Sequence, residues 1–116
     1  MVDEHVMEII KKISVSLKRR FNDYKGLYLF GVYLDGKNHP DEDIEIVALF
    51  ENTDKAKRED IWPLVGKIET ENDVSIDLYP YTEEEFKNDD ILYEEVISEG
   101  IFYNPLGIKE NINQTK

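Results

Sequence analysis

Residues 29–50 read LFGVYLDGKNHPDEDIEIVALF, and this stretch decides the fold because two apolar runs flank a polar turn. Residues 27–30 are short, apolar and aromatic and end at Gly31, a pattern typical of a buried strand that stops sharply. A brief helical segment is predicted over residues 32–35, followed by turn residues up to position 42. Residues 43–50 are rich in β-branched and aromatic side chains and predict a central strand.

The side chains of this central strand alternate in character. Its even-numbered positions are all apolar, whereas its odd-numbered positions begin with Asp43 and Glu45 and continue with apolar residues. Successive side chains of a strand point to opposite faces of the sheet. One face is therefore expected to be apolar throughout, and the other acidic at its start and apolar at its end.

A second stretch, residues 74–79, repeats the alternation with one acid, Asp77, opposite its apolar side. Proline cannot donate a hydrogen bond to a neighbouring strand, so Pro80 is predicted to stop this strand. The two acidic strands are expected to be neighbours. Asp43, Glu45 and Asp77 would then meet at one edge of the sheet.

The remaining segments predict four helices and one more short strand. Apolar residues at helical spacing and capping residues place the helices at residues 3–21, from 53 or 54 to about 71, from 82 through 86, and 90–99; residues 101–103 predict an edge strand. A long helix between two strands is what a parallel crossover requires. The predicted fold class is α+β, a short mixed sheet with helices mainly on one face.

The length of 116 residues suits one domain, predicted over residues 1–103, with 41% hydrophobic residues available for a core. Residues 104–116 lack a clear apolar face and predict a loosely ordered tail, with Leu106 and Ile108 as its anchors. The chain has no cysteine and no apolar run of the roughly 18 to 20 residues that cross a bilayer. A cytoplasmic protein without membrane contact is expected.

The charge balance restricts the partners. The chain has 14 Lys and Arg against 26 Asp and Glu, a net charge of -12. This field repels the phosphates of free nucleic acid, which is not expected as a partner, and attracts basic protein surfaces or small cations. The alternative is that the acidic surface serves only solubility. The sequence does not indicate an oligomeric state.

Three carboxylates held close together on strands repel one another unless cations or protons offset their charge. Hard oxygen ligands of this kind select Mg²⁺ or Mn²⁺, and such metal sites serve phosphoryl or nucleotidyl transfer. The alternative is the solvated face of a half-exposed sheet. His39, in the loop before the acids, is predicted to be solvated, and the alternative is contact with a nucleotide or a role as a base. The tyrosines Tyr33, Tyr79 and Tyr81 are predicted to pack at sheet edges, and the alternative is that they line a base-binding pocket.

The stretch 29–50 resembles the signature of the minimal nucleotidyltransferases of the DNA polymerase beta superfamily. In that signature, an apolar strand leads to Gly-Ser, ten intervening residues follow, and Asp-x-Asp lies in the next strand. Here Gly31-Val32 is followed by ten residues and then by Asp43-Ile44-Glu45, and Asp77 of SIDLYP matches the third acid. The resemblance covers about residues 9–103, including the ending LYEEVISEGIFYN.

The resemblance implies a role for each matched residue. Asp43, Glu45 and Asp77 would be the catalytic carboxylates that bind Mg²⁺ or Mn²⁺. Gly31 and the following position would contact the phosphates of ATP or another NTP. The chain departs from the signature twice, because Val32 replaces the serine hydroxyl and Glu45 replaces the second aspartate.

Two functions stay open. The first is a nucleotidyltransferase that moves an NMP from ATP or another NTP to a hydroxyl of a protein or small molecule, and the resemblance implies an antitoxin role beside a helical HEPN-type toxin. The second is a binding module of the same fold, weakened or inactive in catalysis because of Val32 and Glu45, that acts through protein contact.

Overall fold

The computed structural model describes residues 2–110 of the chain, which form one sheet with helices on both of its faces. The strands are β1 (Tyr24–Phe30), β2 (Ile44–Phe50), β3 (Ile76–Tyr81), β4 (Ile101–Tyr103) and β5 (Lys109–Glu110). The α-helices are α1 (Glu4–Arg20), α2 (Lys55–Asn72), α3 (Glu83–Asn88) and α4 (Asp90–Glu99), and a short 3-10 helix covers Val32–Asp35.

The sheet is mixed, with the strand order β3-β2-β1-β4-β5. Strands β2 and β3 are parallel and are connected by α2, while the other neighbouring pairs are antiparallel. The α+β class, the mixed sheet and the crossover helix between the two acidic strands are therefore confirmed. Strand β2 lies between β1 and β3, which makes it the central support of the predicted site.

The sheet separates two apolar clusters. The first face is covered by the long helices α1 and α2, whose residues Ile13, Leu17 and Ile61 are fully buried against the even-numbered side chains of β2. The second face carries Val47 and Leu49 of β2 and is partly covered by α3 and α4 through Phe86 and Val96. The two long helices thus lie on one face, and the acidic start of β2 belongs to the other face.

The helix boundaries follow local chemistry. The side chain of Asp3 accepts hydrogen bonds from the backbone N–H groups of His5 and Val6, so α1 begins directly after it. Thr82 and Glu85 form the predicted capping box at the start of α3. Within the described residues, no helix has the length and apolar character needed to cross a membrane.

The boundaries of β1 and β3 differ from the prediction by two or three residues, and β2 begins one residue later than predicted. Strand β1 begins at Tyr24, three residues before the predicted start, and its pairing with β2 is irregular between Tyr24 and Gly26. Strand β3 begins at Ile76 and continues through Pro80 to Tyr81, so the predicted stop at Pro80 is wrong. The physical reason is that β3 is an edge strand, in which a residue without an N–H is tolerated on the open side.

The segment after β4 is ordered through a turn at Asn104. The Asn104 side-chain oxygen accepts hydrogen bonds from the N–H groups of Leu106 and Ile108, at 2.9 and 3.1 Å, and β5 then pairs with β4. Leu106 and Ile108 are 64% and 55% exposed, so their predicted anchoring role is wrong. Strand β4 is consequently not at the edge. The domain boundary after residue 103 stays a prediction, and residues 111–116 of the predicted tail lie outside the described part.

Candidate active site

The predicted acids lie at the N-terminal starts of β2 and β3, on the face covered by α3 and α4. Glu45 and Asp77 are register partners on these parallel strands, and both side chains are half-buried. Asp43 directly precedes β2 and is exposed. On the other neighbouring strand, β1, the register partner of Glu45 is Phe30, the last residue before Gly31. The structure thus brings Glu45, Asp77 and the turn at Gly31 together, and Asp43 lies two residues before Glu45 in the chain.

Gly31 connects β1 to the 3-10 helix in a conformation that side chains disfavour. Its φ of 89° and ψ of -158° lie in a region occupied almost only by glycine. A Cβ atom at this position would overlap the carboxylate of Glu45. The Glu45 carboxylate therefore lies directly against the Gly31 backbone, at the turn where the family resemblance places the phosphates of a nucleotide.

Burial and neighbouring negative charge both act on Glu45. Burial is the largest cause that raises the pKa of this carboxyl above its ordinary value of 4.5, and the charges of Glu95 and Asp77 raise it further. Asp43 and Glu42 contribute in the same direction. The structure thus concentrates negative charge around one partly buried carboxylate, and a bound cation would offset that charge.

Two contributors to this site have no clear signal in the sequence. The Tyr79 hydroxyl donates a hydrogen bond to Asp77 Oδ2 at 3.1 Å, and burial, followed by the charge of Asp77, raises the pKa of this tyrosine. Its position two residues after Asp77 on the same face is the only hint in the sequence. Glu95 comes from α4, and only the packing of α4 across the second face brings its charge near Glu45.

The loop between the 3-10 helix and β2 is fastened by Tyr33, which is buried. Its hydroxyl donates to the carbonyl groups of His39 and Glu42. The ring of His39 contacts both carboxylate oxygens of Asp35, at 2.9 and 3.0 Å, and this contact lowers the pKa of Asp35. The predicted solvated state of His39 is therefore wrong, because the loop folds it onto Asp35. Val32, by contrast, is 40% exposed.

The sequence of residues 10–103 matches the family model of the nucleotidyltransferase domain. The chain belongs to this family. The match includes every residue of the site described above. No match was found among curated proteins.

The nucleotidyltransferase domain is also similar to several solved toxin–antitoxin structures. A toxin–antitoxin complex with AMP-PNP is 27% identical, with a TM-score of 0.59, over 78% of this chain and 68% of the other. An MntA–HpeT variant with two Asp-to-Glu substitutions is 24% identical, with a TM-score of 0.64, over 90% and 77%. An MNT antitoxin with a tri-AMPylated HEPN toxin from Shewanella oneidensis is 24% identical, with a TM-score of 0.55, over 80% and 66%. These structures confirm the fold of the domain.

The donor set of the domain fits a hard divalent cation. Glu45 and Asp77 are register partners near the starts of two adjacent strands, and Asp43 supplies a third carboxylate close by in the chain. As the side chains stand, no three acidic or histidine groups within residues 2–110 are close enough to enclose one ion. Metal binding by these three carboxylates would therefore require their side chains to move.

The raised pKa of Glu45 predicts an unusual effect on stability. A carboxyl whose pKa is higher in the folded state destabilises the fold when charged, so the penalty is absent at low pH and grows as the pH rises through that pKa. Glu45→Gln is expected to raise the melting temperature of the metal-free domain at pH 7. The gain is small because the carboxylate is only partly buried. Thermal melts followed by circular dichroism, with EDTA present, measure it.

The matched control is Glu94→Gln, which makes the same change at an exposed position of α4. The difference between wild type and Glu45→Gln is expected to shrink as the pH is lowered toward 4.5, and Glu94→Gln measures the effect of the same substitution at an exposed position. A Glu45→Gln variant that melts below wild type at pH 7 would contradict the electrostatic description of the site.

Proposed function

We propose that this nucleotidyltransferase domain transfers a nucleoside monophosphate, AMP in the simplest case, from ATP to a hydroxyl group of a protein partner. The observation that supports the proposal is the pairing of Glu45 and Asp77 on adjacent strands, directly beside the glycine turn at Gly31. Asp43, Glu45 and Asp77 are its proposed metal ligands, and Gly31 and Val32 its proposed contacts to the nucleotide. Mg²⁺ or Mn²⁺ is the proposed ion.

The reaction requires three contributions from the chain. The carboxylates hold the ion, which when bound offsets the charge of the phosphates. The absence of a side chain at Gly31 leaves its backbone open to close approach by the triphosphate. One carboxylate accepts the proton of the acceptor hydroxyl while the hydroxyl oxygen attacks the α-phosphorus of ATP. The bond between the α-phosphorus and the pyrophosphate oxygen breaks. The acceptor then carries the nucleotide and pyrophosphate leaves.

The proposed acceptor and partner is a HEPN-type toxin, for which the domain would be the antitoxin. Two similar solved structures support this, one named as a toxin–antitoxin with AMP-PNP and one as a tri-AMPylated HEPN toxin with its MNT antitoxin. The net charge of -12 favours a partner with a basic surface around the acceptor hydroxyl. The cytoplasm, which contains ATP, is the proposed location.

The test uses two labels of ATP. The domain is incubated with Mg²⁺ or Mn²⁺ and a purified HEPN-type toxin encoded beside it, or a cell lysate, with ATP labelled at either the α- or the γ-phosphate. Label from the α-phosphate is expected in an acid-stable protein band, and label from the γ-phosphate is not. Absence of α-label with both metals would exclude the transferase, and γ-label in the band would indicate a kinase reaction instead.

A second candidate is a domain that has kept the fold and acts mainly through binding. Two observations favour it: Val32 offers no hydroxyl to a phosphate, and the Glu45 carboxylate lies against the Gly31 turn. The side chain of Glu45 is also longer than that of the family aspartate. It displaces the metal-binding oxygens by about a bond length, which octahedral Mg²⁺ tolerates badly.

The two departures can be reversed. Val32→Ser combined with Glu45→Asp is expected to raise α-label transfer at least about tenfold, because a phosphate regains one hydrogen bond and the ion a better-placed ligand. Initial rates at saturating ATP measure the change, and Val32→Thr serves as an isosteric control that restores only the hydroxyl. Unchanged or lower transfer in the double variant would show that Val32 and Glu45 are not what limits the site.

A further inference from the structure

A groove of about 780 Å³ lies between α1 and α2, on the opposite side of the sheet from the acids. Its floor is apolar and is formed by Val15, Leu64 and Ile68. Val15 and Leu64 are half-buried, so this floor is accessible. Its lining extends from Glu8 to Arg20 along α1, about 18 Å, and from Leu64 to Glu71 along α2, about 11 Å.

The rim of this groove is basic, in contrast to the rest of the chain. Five of the 14 Lys and Arg side chains line it, together with only two acids, Glu8 and Glu71. The cations are Lys11, Lys12, Arg19, Arg20 and Lys67. Arg19 and Arg20 lie in the last turn of α1, where the helix dipole favours cations, but Lys11, Lys12 and Lys67 lie away from that turn.

Most of these cations are not used within the fold. Arg20 forms an ion pair with Asp60 at 2.6 Å, and Lys12 donates to the side-chain oxygen of Asn72. Within residues 2–110, Lys11, Arg19 and Lys67 form no ion pair. All three side chains are exposed and available to an anionic partner.

We propose that the groove between α1 and α2 binds an amphipathic helix of a protein partner, with acidic residues on both flanks of its apolar stripe. An apolar floor between two helices fits the apolar stripe of a third helix, and basic rims complement acidic flanks. A nucleic acid backbone would leave the apolar floor unused, and the net charge of the chain opposes it. A partner helix in this groove leaves the face that carries Glu45 and Asp77 open.

This binding surface is distinct from the proposed transfer reaction and can be tested separately. The probe is a fluorescein-labelled peptide of about 18 residues with leucine at helical i, i+3, i+4, i+7 spacing and glutamate on the flanks. Fluorescence anisotropy with the full chain is expected to show saturable binding that weakens as salt is added. Arg19→Glu combined with Lys67→Glu is expected to weaken it at least about tenfold.

Controls separate the groove from the overall charge. Lys55→Glu combined with Lys87→Glu lowers the net charge equally at exposed positions outside the groove and is expected to have a much smaller effect. Lys67→Glu alone, in the middle of α2, serves if reversing Arg19 destabilises the last turn of α1. Circular dichroism verifies the folding of each variant.

Five results would overturn the proposal. Three concern the peptide: the absence of binding at millimolar concentration, an equal loss in the outside-groove variant, and equal binding of a peptide with lysine flanks. Two concern a different occupant: a single-stranded RNA that binds more tightly than the peptide, and self-association in sedimentation runs that Lys67→Glu abolishes.

Discussion

Asp77→Asn is expected to lower α-label transfer at least about 100-fold, since loss of a direct metal ligand should exceed the 10- to 100-fold losses typical of groups one shell further out. Asparagine keeps the shape of the side chain but removes the negative charge that would hold a cation next to Glu45. It also keeps an oxygen that can accept the hydrogen bond of Tyr79, so the strand is undisturbed. Initial rates with α-labelled ATP and circular dichroism measure activity and folding in parallel.

The control is Asp73→Asn, the same change four residues earlier in the chain. Asp73 is exposed and has a φ of 53°, a left-handed conformation that asparagine adopts as readily. This control is expected to transfer label at the wild-type rate. A well-folded Asp77→Asn variant whose transfer rate stays within about threefold of wild type would remove Asp77 from the proposed metal site, because loss of a metal ligand should lower the rate by more than about tenfold.

Gly31→Ala is expected to destabilise the domain by about 2–4 kcal/mol and to abolish transfer. The positive φ alone costs a residue with a Cβ about 1–3 kcal/mol, and the new methyl group would overlap the Glu45 carboxylate. The methyl would also stand where the resemblance places the phosphates. Urea denaturation gives the free energy of unfolding.

The matched control is Gly66→Ala, because a Cβ at Gly66 in α2 meets nothing within 4 Å. This change is expected to stabilise the helix by about 0.5–1 kcal/mol. The Glu45→Ala background separates the two causes at Gly31, since removing the carboxylate is expected to lessen the cost of Gly31→Ala while the backbone cost remains. Equal costs in both backgrounds would show that Glu45 does not press on this turn.

The sequence predicts those parts of the fold that depend on local chemistry. The apolar stripe predicts α1, and the segment at residues 32–35 forms the short helix at the predicted place. Alternation along residues 43–50 predicts both faces of β2, including the acidic start of the second face. Each of these signals is carried by neighbouring residues, so they can be read without knowledge of the tertiary structure.

The errors arise where the position in the sheet overrides a local rule. Pro80 would end a central strand, but β3 is at the edge, and strand order is a property of the whole fold. Strand β5 consists of two exposed residues with no strand pattern and exists because the turn at Asn104 returns the chain to β4. Residues 24–26 were not predicted as strand because Lys25 and Gly26 interrupt the apolar run.

The candidate site was predictable in its acids and not in its surroundings. Spacing and alternation indicate Asp43, Glu45 and Asp77, and the register of β2 with β3 places the last two side by side. The contact of Glu45 with Gly31 and the charge of Glu95 follow from packing between elements distant in the chain. These unpredicted features matter chemically, because burial and then the charge of Glu95 raise the pKa of Glu45, and the packing against Gly31 positions its carboxylate in the turn.

Glu45 and Asp77 together are proposed to hold a divalent cation. Electron paramagnetic resonance follows free Mn²⁺ directly, needs no acceptor protein, and can be run with a non-hydrolysable ATP analogue present. Wild type is expected to remove Mn²⁺ from solution in a saturable way, and Glu45→Gln combined with Asp77→Asn to bind it at least about tenfold more weakly. Equal Mn²⁺ uptake by wild type and this folded double variant would contradict the claim.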